Sequence, residues 1–179
     1  MELLQITIVC ILIFVVWSGI VLKSLATQYD NMNSSIVYIG IQLSSRWDVL
    51  VALLDLVKCH VGSEYDDLSA ITIFRKPITS KSTSNEIYEQ EAIIESALLT
   101  ISKLAAEYPQ LHDNPTFKNA IYSLNQYENS IKTCRLIYNE SVRKINKRLR
   151  RFPAYLIGYI FKYRKCEYLE SATERLIIE

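Results

Sequence analysis

The sequence predicts an all-α protein: an N-terminal transmembrane helix followed by an antiparallel bundle of three to four long helices. Three observations lead there. The stretch from Leu3 to Leu22 carries no charge and is dominated by Ile, Val, Leu and Phe. Beyond it, apolar residues recur at steps of three and four through three long segments, the repeat of amphipathic helices. The 179-residue chain also holds only four glycines and four prolines, a composition that favours helices over a turn-rich β fold.

Residues 1–28 form the anchor and its junction. A charge-free stretch of about twenty residues is enough to span a hydrocarbon core of about 30 Å. Gln5 and Thr7 sit near one end, Trp17 lies toward the other, and Lys23 closes the span, as interfacial anchors do. The rival reading is a cleaved signal peptide, for which Ser24-Leu25-Ala26 offers small residues at suitable offsets. Against it, Glu2 and no Lys or Arg precede the run, which exceeds the usual hydrophobic region of about 7 to 15 residues. Cys10 follows Val9, not a small residue, which argues against lipoprotein processing. An uncleaved anchor through residues 3–22 fits better. The one charge available to the positive-inside rule, Lys23, places a short N-terminus outside the cell membrane and the body in the cytoplasm.

Residues 29–170 form the bundle, and 171–179 a C-terminal tail. Tyr29, Met32, Ile36, Ile39, Leu43, Trp47, Leu50, Leu54 and Val57 open a stripe that continues to Ile71, predicting one helix over 29–74. At about 1.5 Å per residue it would reach some 70 Å. No turn signal separates it from the anchor. Gly40 and Gly62 are positions where it could bend. Lys76-Pro77 and the polar run Thr79–Ser84 end it. Asn85 or Ser84 suits the cap of a second helix, which runs to about Glu107 with Ile87, Ile94, Leu98, Ile101, Leu104 and Ala105 on one face. Pro109 and Asp113-Asn114-Pro115 then read as a short loop. Asn114 supplies an N-cap and Pro115 a first-turn proline for a third helix that continues to Pro153. Its seam is Phe117, Ile121, Leu124, Tyr127, Ile131, Cys134, Tyr138, Val142, Ile145, Leu149 and Phe152. The aromatic-rich tail from Tyr155 predicts a last helix, or half-helix, folded back on the bundle. Leu176–Glu179 reads as a frayed end.

Several uncommon residues at fixed helical offsets stand in this frame: Glu107-Tyr108-Pro109-Gln110-Leu111, Phe117, Glu128, Arg135, Tyr138-Asn139, Val142, Asn146 and Phe152-Pro153. In the first helix, Gln42-Leu43, Arg46, Asp48, Leu50, Glu64 and Arg75 add to them. By these residues the chain resembles the LemA family of membrane-anchored helical proteins over about Tyr29 to Glu170. It departs from the family's pattern at Val51-Ala52, at Tyr155, at Lys162-Tyr163 and in its Tyr29-Asp30-Asn31 opening. The resemblance implies a short outer tail, one membrane helix and a cytoplasmic bundle. It implies no reaction and carries over no catalytic residue.

Arg46, Asp48, Glu64, Arg75, Glu128, Arg135, Asn139 and Asn146 are the candidate site, a polar seam between helices. Glu128 and Arg135 are two turns apart and cannot touch, so each needs partners on another helix, with Arg46, Asp48, Glu64 and Arg75 on offer. The favoured reading is structural: polar pairs that fix helix register. The rival is a ligand- or metal-binding regulator acting through the seam. No metal set is expected, since a di-metal bundle needs Glu-x-x-His motifs and this chain has none. His60 with Glu64 suits an exposed pair, and His112 sits beside Asp113. The four cysteines, Cys10, Cys59, Cys134 and Cys166, are scattered and fit small buried or half-buried thiols. Nucleophile and phosphate-loop signatures are absent, so no catalytic residue, cofactor or enzymatic activity is expected.

Arg143, Lys144, Lys147, Arg148, Arg150 and Arg151 crowd the end of the third helix. A solvated face favoured by the helix C-terminus is the simpler reading, and no nucleic acid partner is expected. If one helix leaves the membrane, the next returns and the third leaves again, this end lies far from the bilayer. Asn33-Ser34-Ser35 and Asn139-Glu140-Ser141 match the glycosylation pattern by coincidence in a helical context. The expected protein is a single-pass scaffold or interaction module, in contact with the bilayer and with a protein partner or a second copy.

Overall fold

A computed structural model describes residues 1–61, 70–151, 154–160 and 163–169. Its helices are α1 (Glu2–Val61), α2 (Ser84–Glu107), α3 (Pro109–His112), α4 (Pro115–Leu149) and α5 (Ala154–Ile160). No strand occurs among the described residues.

The anchor and the first bundle helix are one element, α1. Its early side chains are open, with Leu3, Ile6, Leu12, Val16 and Ile20 all more than half exposed, and it is long and apolar enough to cross a membrane. From Leu25 onward the stripe turns inward: Ile36, Ile39, Leu43, Trp47, Leu50, Leu54 and Val57 are buried. The expectation that this helix reaches residue 74 is corrected. Residues 70–74 form a separate 3₁₀ turn, while Gly62 and Glu64 lie outside the described residues.

Local signals explain the remaining boundaries. The N-cap of α2 is Thr83, not Ser84 or Asn85: its hydroxyl accepts from the Glu86 N–H at 3.3 Å, and the Glu86 carboxylate accepts from the Thr83 N–H at 3.0 Å. This is the reciprocal capping box of a Thr-x-x-Glu sequence. Asn114 caps α4 by accepting from the Thr116 N–H at 2.8 Å. The predicted loop after α2 contains the one-turn helix α3, started by Pro109 and pinned by the fully buried Leu111. Helix α4 ends at Leu149 rather than at Pro153, which lies outside the described residues. The aromatic tail is the predicted half-helix, α5, followed by an irregular segment over 163–169.

The chain divides into two compact units. One joins Met1–Ser34 with Ile137–Tyr168. Its core is Leu25, Ile145 and Leu149, with Val21, Tyr29, Met32, Tyr163 and Cys166 packed against it. The Tyr29 ring lies 5.0 Å from that of Tyr163, and its hydroxyl donates to the Arg164 carbonyl. Burial pushes that hydroxyl's pKa up.

The other unit holds Ser35–Leu136 and Leu169. After the 3₁₀ turn the chain runs back along α1: Arg75 bonds Asp48 at 2.8 Å and the Ser44 hydroxyl at 2.6 Å, and Ile78 stands over Gly40. Gln90 of α2 then meets Trp47. Because this strap makes the return journey, α2 advances in the same direction as α1. Helix α4 runs against both, with Glu128 at Arg46 and Arg135 at Glu91. The expectation that the second helix returns and the third leaves is thereby corrected.

Gly40 lies within the unbroken helix α1. A Cβ there would stand 2.6 Å from the Ile78 carbonyl oxygen and 3.1 Å from the Ile78 Cβ. Its bare backbone is the seat of the strap. Gly40→Leu is expected to lower stability by about 1 to 3 kcal/mol through overpacking, read as a reduced midpoint in denaturant titration of the full chain. Helix propensity alone would give the opposite sign.

Candidate functional site

The polar seam of the second unit is assembled from one residue of α1, one of α2 and two of α4. Arg46, Glu91 and Arg135 are buried, at 2%, 5% and 7% exposure. The Arg135 Nη2 donates to both Glu91 oxygens, at 2.5 and 2.7 Å. Arg46 faces Glu128 at 3.7 Å, and Glu128 also takes Lys132 at 2.5 Å. Burial pushes the Glu91 carboxyl up in pKa, against the pull of Arg135 and Arg46. Burial likewise lowers the Arg46 guanidinium, against Glu128 and Glu91. The Nε atoms of Arg46 and Arg135 have no hydrogen-bond partner among the described residues.

A second group holds the strap. The Gln90 side-chain oxygen accepts from the Trp47 indole N–H at 3.1 Å and from the Lys76 backbone N–H at 2.9 Å. Its amide nitrogen donates to the Phe74 carbonyl at 2.9 Å. One amide thus ties α1, α2 and the strap together, beside the Arg75–Asp48 pair.

In the first unit, Asn146 pairs with the backbone of Cys166 from both sides: its Nδ2 donates to the carbonyl at 2.9 Å and its Oδ1 accepts from the N–H at 3.0 Å. Tyr138 adds a hydrogen bond to the Glu167 carbonyl at 3.1 Å. The irregular segment after α5 has no ladder of its own, so these side chains satisfy part of its backbone.

The eight sequence candidates therefore do not form one site. Arg46, Glu128 and Arg135 belong to the buried charge network, Asp48 and Arg75 to the strap, and Asn146 to the tail. Asn139 is half-buried on α4, and Glu64 lies outside the described residues. Two decisive residues, Gln90 and Glu91, were not among them. Their signal was present: Glu91 stands four residues after Ile87 and three before Ile94, on the apolar stripe of α2 itself.

A recess of about 390 Å³ opens beside the network, lined by Arg46, Glu95, Leu98, Ser102, Leu124 and Glu128 among others. Among the described residues no group of three His, Cys, Asp or Glu side chains is placed to hold a metal ion. The His60 Nδ1 lies 2.9 Å from the Leu56 carbonyl oxygen, and His112 faces Asp113 at 3.6 Å. All four cysteines are free. Cys10 and Cys59 are exposed, which corrects the expectation of burial for those two, while Cys134 and Cys166 are half-buried.

The LemA family model matches residues 35–176. The chain belongs to the LemA family. No individual curated protein matches it. The LemA match takes in the charge network, the strap and the Asn146 pairing, and it begins beyond the apolar span.

Removing one partner of a buried ion pair leaves the other charge uncompensated. Arg135→Leu is expected to cost about 3 to 5 kcal/mol, while Arg135→Leu with Glu91→Leu recovers most of that loss. Chemical denaturation of the three proteins checks this. A single variant as stable and as correctly assembled as wild type would show that the pair serves something other than the fold. Asn146→Asp sets a carboxylate oxygen against the Cys166 carbonyl and is expected to cost about 1 to 3 kcal/mol locally. Hydrogen exchange should then report a faster Cys166 amide, with the amides of α2 unchanged.

Proposed function

We propose that this LemA-family chain is a single-pass membrane protein whose bundle acts as a non-enzymatic scaffold or protein-interaction module. The observation that carries the reading is the continuity of α1, whose exposed apolar start runs without a break into the buried stripe of the bundle. A helix of that kind fixes a folded domain beside the bilayer without a flexible tether. The charged residues of the seam support a structural role, because Arg46, Glu91 and Arg135 are withdrawn from solvent and matched with each other or with Glu128. An enzyme needs groups that reach a substrate; Glu91 and Arg135 are paired with each other and buried, and only the Arg46–Glu128 pair borders the recess.

The body is assigned to the cytoplasm. Lys23 favours that side, and the basic residues of the first unit add to it because Arg148 reaches Ser24, one residue beyond Lys23. The surface for a partner or a second copy is assigned to the outer face of α1, where Val37, Tyr38 and Ile41 are 42%, 58% and 51% exposed. A second reading, a ligand-binding regulator, draws on the recess beside Arg46 and Glu128, whose apolar walls and guanidinium suit a small molecule bearing a carboxylate.

The test places p-benzoylphenylalanine at Tyr38 in the full-length protein in its native membrane. Irradiation is expected to give one discrete protein adduct, identified by mass spectrometry, or a dimer of this chain. Adducts with lipid alone, or with proteins in proportion to their abundance, would overturn the interaction reading. Saturable binding of a small carboxylate, lost in Arg46→Met, would favour the regulator instead.

A further inference from the structure

We infer that the end of α4 and helix α5 form a second membrane contact, one that recognises the phosphate of anionic phospholipids in the bilayer that α1 spans. The inference rests on the membrane reading of α1. Its starting point is the corrected direction of α4, which delivers the basic end to the last turns of the apolar span. Arg148 donates to the Ser24 hydroxyl. Arg148 and Arg151 line a recess of about 260 Å³ together with Trp17, Ile20, Val21, Ser24 and Ala154. Leu3 to Leu22 fill a hydrocarbon core of about 30 Å. Ser24 and the two guanidiniums then stand at the depth of lipid headgroups.

The charges there are unspent. Arg143 and Lys144 are taken up by Glu140, at 2.8 and 3.5 Å. Lys147, Arg148, Arg150 and Arg151 have no ion pair with a described residue. A helix C-terminus explains cations in its final turn, but Arg150 and Arg151 follow the end of α4 at Leu149. Guanidinium groups bind phosphate through paired N–H donors. A recess with an aliphatic and indole wall below and guanidiniums above fits a lipid, with its acyl chain down and its phosphate up.

Helix α5 supplies the apolar half of the surface. Ala154 is buried, and a Cβ at Gly158 would meet Leu149 Cδ2 at 2.6 Å, so this side of α5 lies directly on the end of α4. The outer side presents Tyr155, Leu156, Tyr159 and Ile160, exposed by 61, 46, 79 and 70%. Tyrosine is favoured at the membrane interface, and a short amphipathic segment can lie there when another element holds it in place. The occupant of this apolar face is therefore the bilayer itself, because the face is continuous with the span in the same unit and bordered by cations that complement an anionic leaflet.

The experiment uses the full chain in nanodiscs of phosphatidylcholine with a minority of phosphatidylglycerol. p-Benzoylphenylalanine replaces Tyr159 or, as a control on the span, Phe14. Both positions are expected to give lipid adducts on irradiation, and those at position 159 should be enriched in phosphatidylglycerol by about fivefold for each basic residue engaged. Arg148→Gln with Arg151→Gln should remove most of the enrichment. Lys147→Gln with Arg150→Gln, at side chains that bond to no described residue, should lower it with the helical circular dichroism unchanged. Lipid adducts at position 14 but none at 159 would overturn the inference and leave the anchor standing. Adducts at neither position would overturn the anchor reading beneath it. Adducts at 159 without preference for phosphatidylglycerol would overturn headgroup recognition. Enrichment abolished by inorganic phosphate, but not by chloride of equal ionic strength, would assign the recess to free phosphate and overturn the lipid.

Discussion

Two buried arginines set the terms on which the second unit can exist. A guanidinium taken out of water loses several kcal/mol of hydration, which only close carboxylates and hydrogen bonds offset. Arg46 comes from α1 and Arg135 from α4, and each is met by a carboxylate of another helix, Glu128 and Glu91. The apolar stripes would tolerate many relative rotations of three helices. The four charges tolerate few, because any arrangement that separates them leaves an ion buried alone. Gln90 extends the same constraint to the strap: its amide is occupied on both ends, and the Trp47 indole N–H would otherwise be a buried donor without an acceptor.

How far the fold could be read in advance depended on which physical signal each element carries. The span and the three long stripes are repeated over many residues, so composition and periodicity expose them; most buried residues of α1 and α4 lie on the stripes, though Ser35, Leu53 and Ser141 are buried off them and Ile121, Tyr127 and Cys134 are only half-buried. The polar residues on α4 were equally visible, since a charge on an apolar seam stands out. Their partners were harder. Glu91 occupies a stripe position on α2, where an acidic residue among apolar ones is the signal of a buried pair. The strap was hidden for a different reason. Thr79 to Ser84 is polar and carries no period, and the contact that fixes Ile78 is with backbone at Gly40. A glycine that admits a crossing chain and a glycine that weakens a helix look the same in sequence. Counting helices as successive reversals overlooked the strap's return along α1, and with it the position of the basic end of α4.

Under the proposed membrane reading, helix α1 is one regular element that serves two solvents. Its hydrogen bonds are internal throughout, as a bilayer demands of any spanning segment, and only its side chains change. Through most of the span the side chains are apolar and open, and only its last turns, at Ser18, Val21 and Leu22, are partly covered. Beyond Lys23 most apolar residues withdraw to one face, with Val37, Tyr38 and Ile41 left outside, and polar ones such as Gln28, Asp30 and Asn33 appear on the others. The pairing of Tyr29 with Arg164 and Tyr163 follows within two turns of Lys23, so the first unit packs immediately beside the end of the apolar stretch.

The spacing of Glu128 and Arg135 has a consequence for misassembly. Phe117, Leu124, Ile131, Tyr138 and Ile145 are all buried and follow one another at intervals of seven. A slide of α4 by one heptad would therefore replace most of its apolar contacts with others of the same kind, and hydrophobicity alone would barely resist it. The charges are also seven apart and opposite in sign. A slide one way brings Arg135 against Arg46, and a slide the other way brings Glu128 against Glu91. Each near-miss of the bundle thus meets a buried pair of like charges, and the native alignment is the one among the three that is neutral.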